Sequence, residues 1–337
     1  MKASDSHLLS FAVAIVGAGS LATGAWAQAV DKPPNLTPFP ASNISLVSTV
    51  SGTSTLRFST TSWNNGTGPL ELVGGEVVTG SGKQKVYQRI FATDGTSYLH
   101  YAGDFAYHAA HGHIHFDDYA LYTLQPVDAP GGSTLYGEKV TFCVMDTTKV
   151  NTSLPGASAN PVYTVCETQV QGMSIGWGDT YGSHLPGQEI DLTGAADGIY
   201  QLKIEIDPNK LLVESNKNDN ISCALIDIKR PSTVTVLDIS GGCSAVSAIT
   251  PSSAKAGTSV QVTIAGYGFT PGMSVNFERG NGPRPVATNV QLASDSPTLD
   301  MLTATVTVPA KKQLGKDPVW DLRVGNSLLR DAFQVTR

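Results

Sequence analysis

The sequence predicts an all-β chain, and three observations carry that prediction. Charged residues make up 15% of the 337 residues, against about 25% in an ordinary soluble domain. Glycine (34) and proline (19) are plentiful. Between them lie short Val-, Ile- and Thr-rich runs of strand length. A chain this long accommodates two domains with a core each. Residues 1–27 read as a secretory signal peptide: Lys2, then an apolar run from Leu8 to Val16, then Ala25-Trp26-Ala27 as a small-residue cleavage site. No later stretch could span a bilayer as a helix. The expected location is secreted, extracellular or periplasmic, with no integral membrane segment. Removing residues 1–27 takes Lys2 and Asp5 together, so the formal net charge stays at −6. That charge argues against a nucleic-acid partner.

Four prolines within residues 33–40 predict an extended lead-in without regular hydrogen bonding. Runs at Ile44–Val50 and Thr55–Thr61 read as strands, the second leading into Asn64-Asn65-Gly66-Thr67-Gly68-Pro69, a turn of residues that tolerate positive φ. Lys85–Ile90 reads as a strand, and residues 139–145 as a buried one. The segment 147–180 lacks periodicity and reads as a long irregular region, the kind of loop that is usually functional in a compact domain. Residues 200–207 alternate strictly, with Tyr200, Leu202, Ile204 and Ile206 on one face and Gln201, Lys203, Glu205 and Asp207 on the other. A further strand covers Ile221–Ile228.

A second domain, 244–337, opens with Ala248-Ile249-Thr250-Pro251 and continues through Val260–Ile264 to Gly266-Tyr267-Gly268-Phe269-Thr270-Pro271-Gly272. This opening resembles an IPT/TIG domain and implies a small immunoglobulin-like β-sandwich. Runs at Val275–Phe277, Thr303–Val308 and Trp320–Val324 supply its remaining strands. The domain contains neither His nor Cys. Its expected role is spacing, packing or contact with a partner that the sequence leaves unknown.

Chemistry gathers at Tyr107-His108-Ala109-Ala110-His111-Gly112-His113-Ile114-His115-Phe116-Asp117-Asp118. Four of the seven histidines fall within residues 108–115. On a strand, alternate side chains share a face about 7 Å apart, so His111, His113 and His115 can close on one ion. Three neutral imidazoles suit copper, zinc, nickel or iron and leave a coordination position open. The bland reading is a polar strand face with hydrogen-bonded histidines. Four cysteines, Cys143, Cys166, Cys223 and Cys243, predict two disulfides in an oxidising compartment; the sequence itself allows three pairings.

The histidine segment and the residues C-terminal to it resemble the catalytic domain of lysyl oxidase, a secreted copper amine oxidase, over residues 35–243. Gly137–Cys143 is similar to the segment bearing that family's cofactor lysine, Gln171–Gly182 to the one bearing its cofactor tyrosine, and Leu56-Arg57-Phe58-Ser59 to its opening strand. The resemblance implies an irregular, loop-rich β-sandwich catalytic domain over 28–243, with copper on His111, His113 and His115. It further implies a lysine tyrosylquinone made from Lys139 and Tyr181. The activity implied is oxidation of a primary amine or peptidyl lysine by dioxygen to an aldehyde, with release of ammonia and hydrogen peroxide. A carbonyl-type cofactor makes chemical sense, since no ordinary side chain is an electrophile toward amines. Asp117, Asp118 and Asp179 are the candidates for the base.

The same resemblance pairs Cys143 with Cys166 and Cys223 with Cys243. It also implies a calcium site from Glu214, Asn216, Asp219 and Asn220 with Asn35 and Leu36, where oxygen-only ligation suits calcium. A polar hairpin turn is the simpler account of that run. Ala110 and Gly178 depart from the family pattern, which commonly has Cys and an aromatic residue there. Two other functions compete: a non-catalytic secreted copper-binding protein, which would need neither Lys139 nor Tyr181, and a zinc hydrolase with Asp117 as base.

Overall fold

The computed structural model describes residues 29–48, 53–108, 112–127, 132–281, 284–294, 299–310, 318–325 and 327–336; the expected signal segment lies outside them. Every regular element among the described residues is a β-strand, and no helix among them is long and apolar enough to cross a membrane.

The eleven-residue strand Ser54–Asn64 organises the first part of the chain. Leu56, Phe58, Thr60, Ser62 and Asn64 alternate inward, while Arg57 points away from the core. Its edges take Leu36–Pro38, Ser42–Ser48, Trp177–Tyr181 and Glu189–Asp191, all antiparallel. A second sheet runs Val170–Met173, Leu70–Val78, Lys83–Ala92, Ser97–His108 and His113–Phe116. The third contains Ala120–Pro126, Gly198–Ile206, Ile221–Lys229 and Thr233–Gly241. One core, including Leu56, Phe58, Leu72, Phe116, Tyr122 and Ile204, draws on all three sheets. Fully burying each large apolar side chain is worth about 1.5–3 kcal/mol.

From Ala245 onward two four-stranded sheets enclose a separate core containing Ile264, Phe277, Val306, Leu322 and Phe333. A small cluster of Val127, Leu225, Ala245 and Tyr267 lies between the two cores.

Several expectations change. The proline-rich lead-in does hydrogen-bond: Asp31–Lys32 pairs with Phe91 and Ala92, and Leu36–Pro38 with Ser62 to Asn64. Gly66 and Gly68 do not supply positive φ. A Cβ on either would strike backbone atoms of Pro34 or Lys32, so these glycines let the lead-in approach closely. Residues 139–145 are largely buried yet form no strand, because the segment crosses between sheets and makes a single bridge, Phe142 to Phe116, after another from Gly137 just before it to Ile190. The end of the supposedly irregular 147–180 region is regular, with Val170–Met173 on Leu70–Val73 and Trp177–Tyr181 on Thr60–Trp63. On Gly198–Ile206 the apolar face is buried as expected. Gln201 is buried as well, since its Nε2 donates to the Cys243 carbonyl at 2.8 Å.

Candidate metal and cross-link centre

The strand His113–Phe116 brings His113 and His115 to one face. Their Nε2 atoms stand 2.9 Å apart. Two imidazoles on one ion at about 2.0–2.1 Å, with about 90° between them, would stand at that distance. The spacing therefore fits a square-planar or octahedral ion better than a tetrahedral one, and square-planar N ligation suits copper. An N–H···N hydrogen bond has the same length. His115 is buried, with Nδ1 2.9 Å from the Thr141 hydroxyl. A hydrogen bond donated by Nδ1 to Thr141 leaves the Nε2 lone pair for a metal.

The third expected ligand, His111, lies outside the described residues. Among the described residues no three His, Cys, Asp or Glu side chains group together as a metal site. His184 packs its ring against Gly182, and His108 stands opposite His113 in register.

Buried Gln171 ties the histidine strand to the next segment. Its Nε2 donates to the Ile114 carbonyl at 3.1 Å, and its Oε1 accepts from Val144 N–H at 3.1 Å. The Cys143–Cys166 disulfide holds the same place. Cys143 in turn anchors Tyr181, whose hydroxyl accepts from Cys143 N–H at 2.8 Å and donates to the Cys143 carbonyl at 2.9 Å.

Lys139 is 6% exposed, and its Nζ lies 4.9 Å from the centroids of both Tyr181 and Phe142, within cation–π range. Burial lowers its ammonium to about 8, with the charge of Asp179 opposing. Burial raises the Tyr181 phenol, and Asp179 adds to the rise. On a strand, Asp179 shares the face of Tyr181. It is buried, its Oδ1 is 3.3 Å from the Thr147 hydroxyl, and its Oδ2 accepts no hydrogen bond. Burial pushes this carboxyl well above the usual carboxylate range.

Of these groups, Asp179 and Tyr181 line a cavity of about 320 Å³ together with His113, Met145, Leu185, Pro186 and the disulfide. Its wall is mostly apolar, so an amine entering it leaves water. The other two acidic candidates stand elsewhere: Asp117 pairs with Lys83 at 2.7 Å, and Asp118 accepts from Asn209 at 3.1 Å. Both line a different cavity.

Comparison with known proteins finds relatives for the part of the chain that carries this site. A family model for lysyl oxidase matches residues 90–236. Human lysyl oxidase homolog 1 is 31% identical over 116 residues, covering 34% of this chain and 19% of the relative. Human protein-lysine 6-oxidase is 31% identical over 119 residues, 34% of this chain and 26% of the relative. Zebrafish lysyl oxidase homolog 3B is 33% identical over 115 residues, 34% of this chain and 13% of the relative. Over residues 90–236 the chain is similar to the lysyl oxidase family. It spans a quarter or less of the length of lysyl oxidase homolog 1 and about a quarter of protein-lysine 6-oxidase. The family match takes in the histidine strand, Lys139, Tyr181 and residues 214–220, and begins after Asn35, Leu36 and the strand Ser54–Asn64.

The run at 214–220 folds against the lead-in. Leu36 N–H donates to Glu214 Oε2 at 2.7 Å, Asn220 Nδ2 to Glu214 Oε1 at 2.7 Å, and Asn35 Nδ2 to Asp219 Oδ2 at 2.9 Å. Burial pushes the Glu214 carboxyl up to about 7. Asp219 Oδ1 and Asn220 Oδ1 are buried acceptors without a hydrogen-bond partner. Orphaned oxygens beside a buried carboxyl suit a hard cation. Asn216 is exposed and spends its Oδ1 on Asn218 N–H, a turn contact. The second disulfide, Cys223–Cys243, also forms.

Sequence reading missed Thr141, Gln171 and Thr147. Thr141 alternates with Lys139 and Cys143, a period of two that hinted at a shared face. Gln171 and Thr147 carried no such signal.

Proposed function

We propose that this chain is a secreted copper amine oxidase that deaminates primary amines, peptidyl lysine or small amines, to aldehydes with dioxygen, releasing ammonia and hydrogen peroxide. One observation carries the reading. A buried lysine, the ring of a tyrosine and a buried carboxylate meet beside a cavity that a histidine of the metal-spaced pair also lines. Burying an ammonium costs free energy, and a protein that only held copper on its histidines would have no use for that cost.

His113 and His115, with His111, would hold the copper. Copper and a quinone derived from Tyr181 and Lys139 would supply the electrophilic carbonyl and the two-electron redox chemistry that side chains lack. Lys139 would contribute its Nζ, as the neutral amine that burial favours, to a bond with a ring carbon of the oxidised Tyr181, the displaced ring hydrogen leaving as a proton and dioxygen accepting the two electrons. Asp179 lies beside this pair, close enough for its charge to act on Lys139, and in its ionised form would be placed to take up the proton that Lys139 gives up. The apolar wall around Leu185 and Pro186 keeps water from the reacting atoms. Glu214, Asp219, Asn220 and Asn35, with Leu36 and Asn216, would hold calcium, and the orphaned oxygens support that.

The test is direct. Protein folded with copper and exposed to air is expected to absorb in the visible, to react with phenylhydrazine, and to yield a peptide in which Lys139 is joined to Tyr181. Stoichiometric copper with both residues unmodified would overturn the oxidase reading in favour of a copper-binding protein.

A further inference from the structure

Residues 182–188 join the strand Trp177–Tyr181 to the strand Glu189–Asp191, and both strands pair with Ser54–Asn64. The chain leaves that strand at Thr60, opposite Tyr181, and returns at Arg57, opposite Glu189. Seven residues lie between these pairs on one side and two, Phe58 and Ser59, on the other, so the loop must bulge. It bulges over the reacting groups: Leu185 and Pro186 line the cavity, and at Gly187, where φ is +78°, an added Cβ would stand 3.1 Å from the Lys139 Cβ.

Arg57 fixes the shape of this bulge. Its Nε donates to the Ser183 carbonyl at 2.7 Å and its Nη2 to the Leu185 carbonyl at 2.8 Å, while Nη1 pairs with the Glu189 carboxylate. The guanidinium thus spans the start, the middle and the far end of the loop. Its neighbours on the same strand add single bonds, from Ser183 N–H to Ser59 Oγ at 2.9 Å and from Phe58 N–H to the Gln188 carbonyl at 3.4 Å. A planar fork with fixed donor directions can hold two carbonyls and a carboxylate together; an ammonium on a flexible stem cannot.

We propose that Arg57 is a positioning residue: its hold on Ser183, Leu185 and Glu189 sets the loop that keeps Lys139 packed against the Tyr181 ring. The proposal rests on the Lys139–Tyr181 reading for its consequence but not for the loop itself. With the fork removed, the bulge loses its three-point tie, water reaches Lys139, and its Nζ no longer dwells over the ring.

The experiment uses the full chain with Arg57→Lys, Arg57→Ala and Glu189→Gln. In copper-free protein, amide exchange of residues 182–188 and acetylation of Lys139 are followed by mass spectrometry. After copper and air, the yield of the Lys139–Tyr181 peptide is followed with time. Arg57→Lys is expected to keep the fold and bind copper as the unaltered chain does. Loop exchange and Lys139 labelling should each rise at least about tenfold and cross-linking should slow at least about tenfold, with Glu189→Gln intermediate, for loss of a fork that lysine cannot replace. Should Arg57→Ala fail to fold, the other two variants decide. Unchanged loop exchange in Arg57→Lys, or cross-linking at the unaltered rate, overturns the proposal. If the unaltered chain binds copper and never cross-links, the oxidase reading falls, while exchange and labelling still decide whether Arg57 holds the loop over Lys139.

Discussion

At the scale of single residues, Lys139 and Asp179 form the pair on which the proposed chemistry turns. Lys139 titrates near 8 because burial disfavours its charge, and the carboxylate opposes that shift. The neutral amine is the nucleophile, so the rate of cross-link formation should climb as pH rises through about 8, where an unperturbed lysine would show the climb near about 10.4. Asp179→Asn removes the opposing charge and the proton acceptor together. The midpoint should move to lower pH while the plateau rate falls about 100-fold or more, with copper binding intact. Hydrazine-reactive absorbance followed across pH measures both, and an unmoved midpoint in the variant would separate Asp179 from Lys139. The sequence made part of this legible. The alternation of His113 and His115 is local, so strand geometry alone put them on one face. Which of three aspartates mattered was not local: Asp117 and Asp179 differ in what packs over them, a lysine in one case and no donor to Oδ2 in the other.

At the scale of elements, the irregular segment 137–144 carries most of the site, and its irregularity is functional. A strand there would point alternate residues to opposite faces. Crossing between sheets instead lets Lys139 and Phe142 meet the same tyrosine ring while Thr141 reaches His115. Residues 139–145 look like a strand in sequence because their apolar content is high. What denies them a ladder is the absence of more than a single bridge to each neighbour, which is tertiary information. The Cys143–Cys166 link then compensates for missing ladder bonds. Replacing both cysteines by alanine should lower stability to denaturant by about 3 kcal/mol, as expected for a cross-link closing a loop of this length. The same change should release the Tyr181 hydroxyl from its anchors on Cys143 and reduce the yield of cross-linked peptide, while His113 and His115, held by Gln171 and Thr141, should bind the proposed copper as before. A variant that lost copper along with the cross-link would show that the disulfide supports both halves of the site.

At the scale of the whole molecule, two cores lie along the chain, and a small apolar cluster and the Arg323–Asp238 pair at 3.9 Å are among the contacts that connect them. The candidate calcium cluster belongs to the first core, where it joins the lead-in at Asn35 and Leu36 to the hairpin at 214–220, nearly the full length of that unit. A cation bound only by the folded state adds about 2.7 kcal/mol at a hundredfold excess over its Kd. For a unit of about 215 residues that corresponds to a rise in Tm of about 5–10 °C. Calorimetry with calcium and then with a chelator should therefore show two transitions, of which one, that of the unit ending near residue 243, moves up with calcium and back with the chelator. Glu214→Gln should abolish the movement and leave the transition of the C-terminal unit where it was. A single transition that moves as a whole would mean that Val127, Leu225, Ala245 and Tyr267 couple the two cores into one folding unit. No movement at all would reduce residues 214–220 to a polar hairpin turn, with the unpaired oxygens of Asp219 and Asn220 serving water instead.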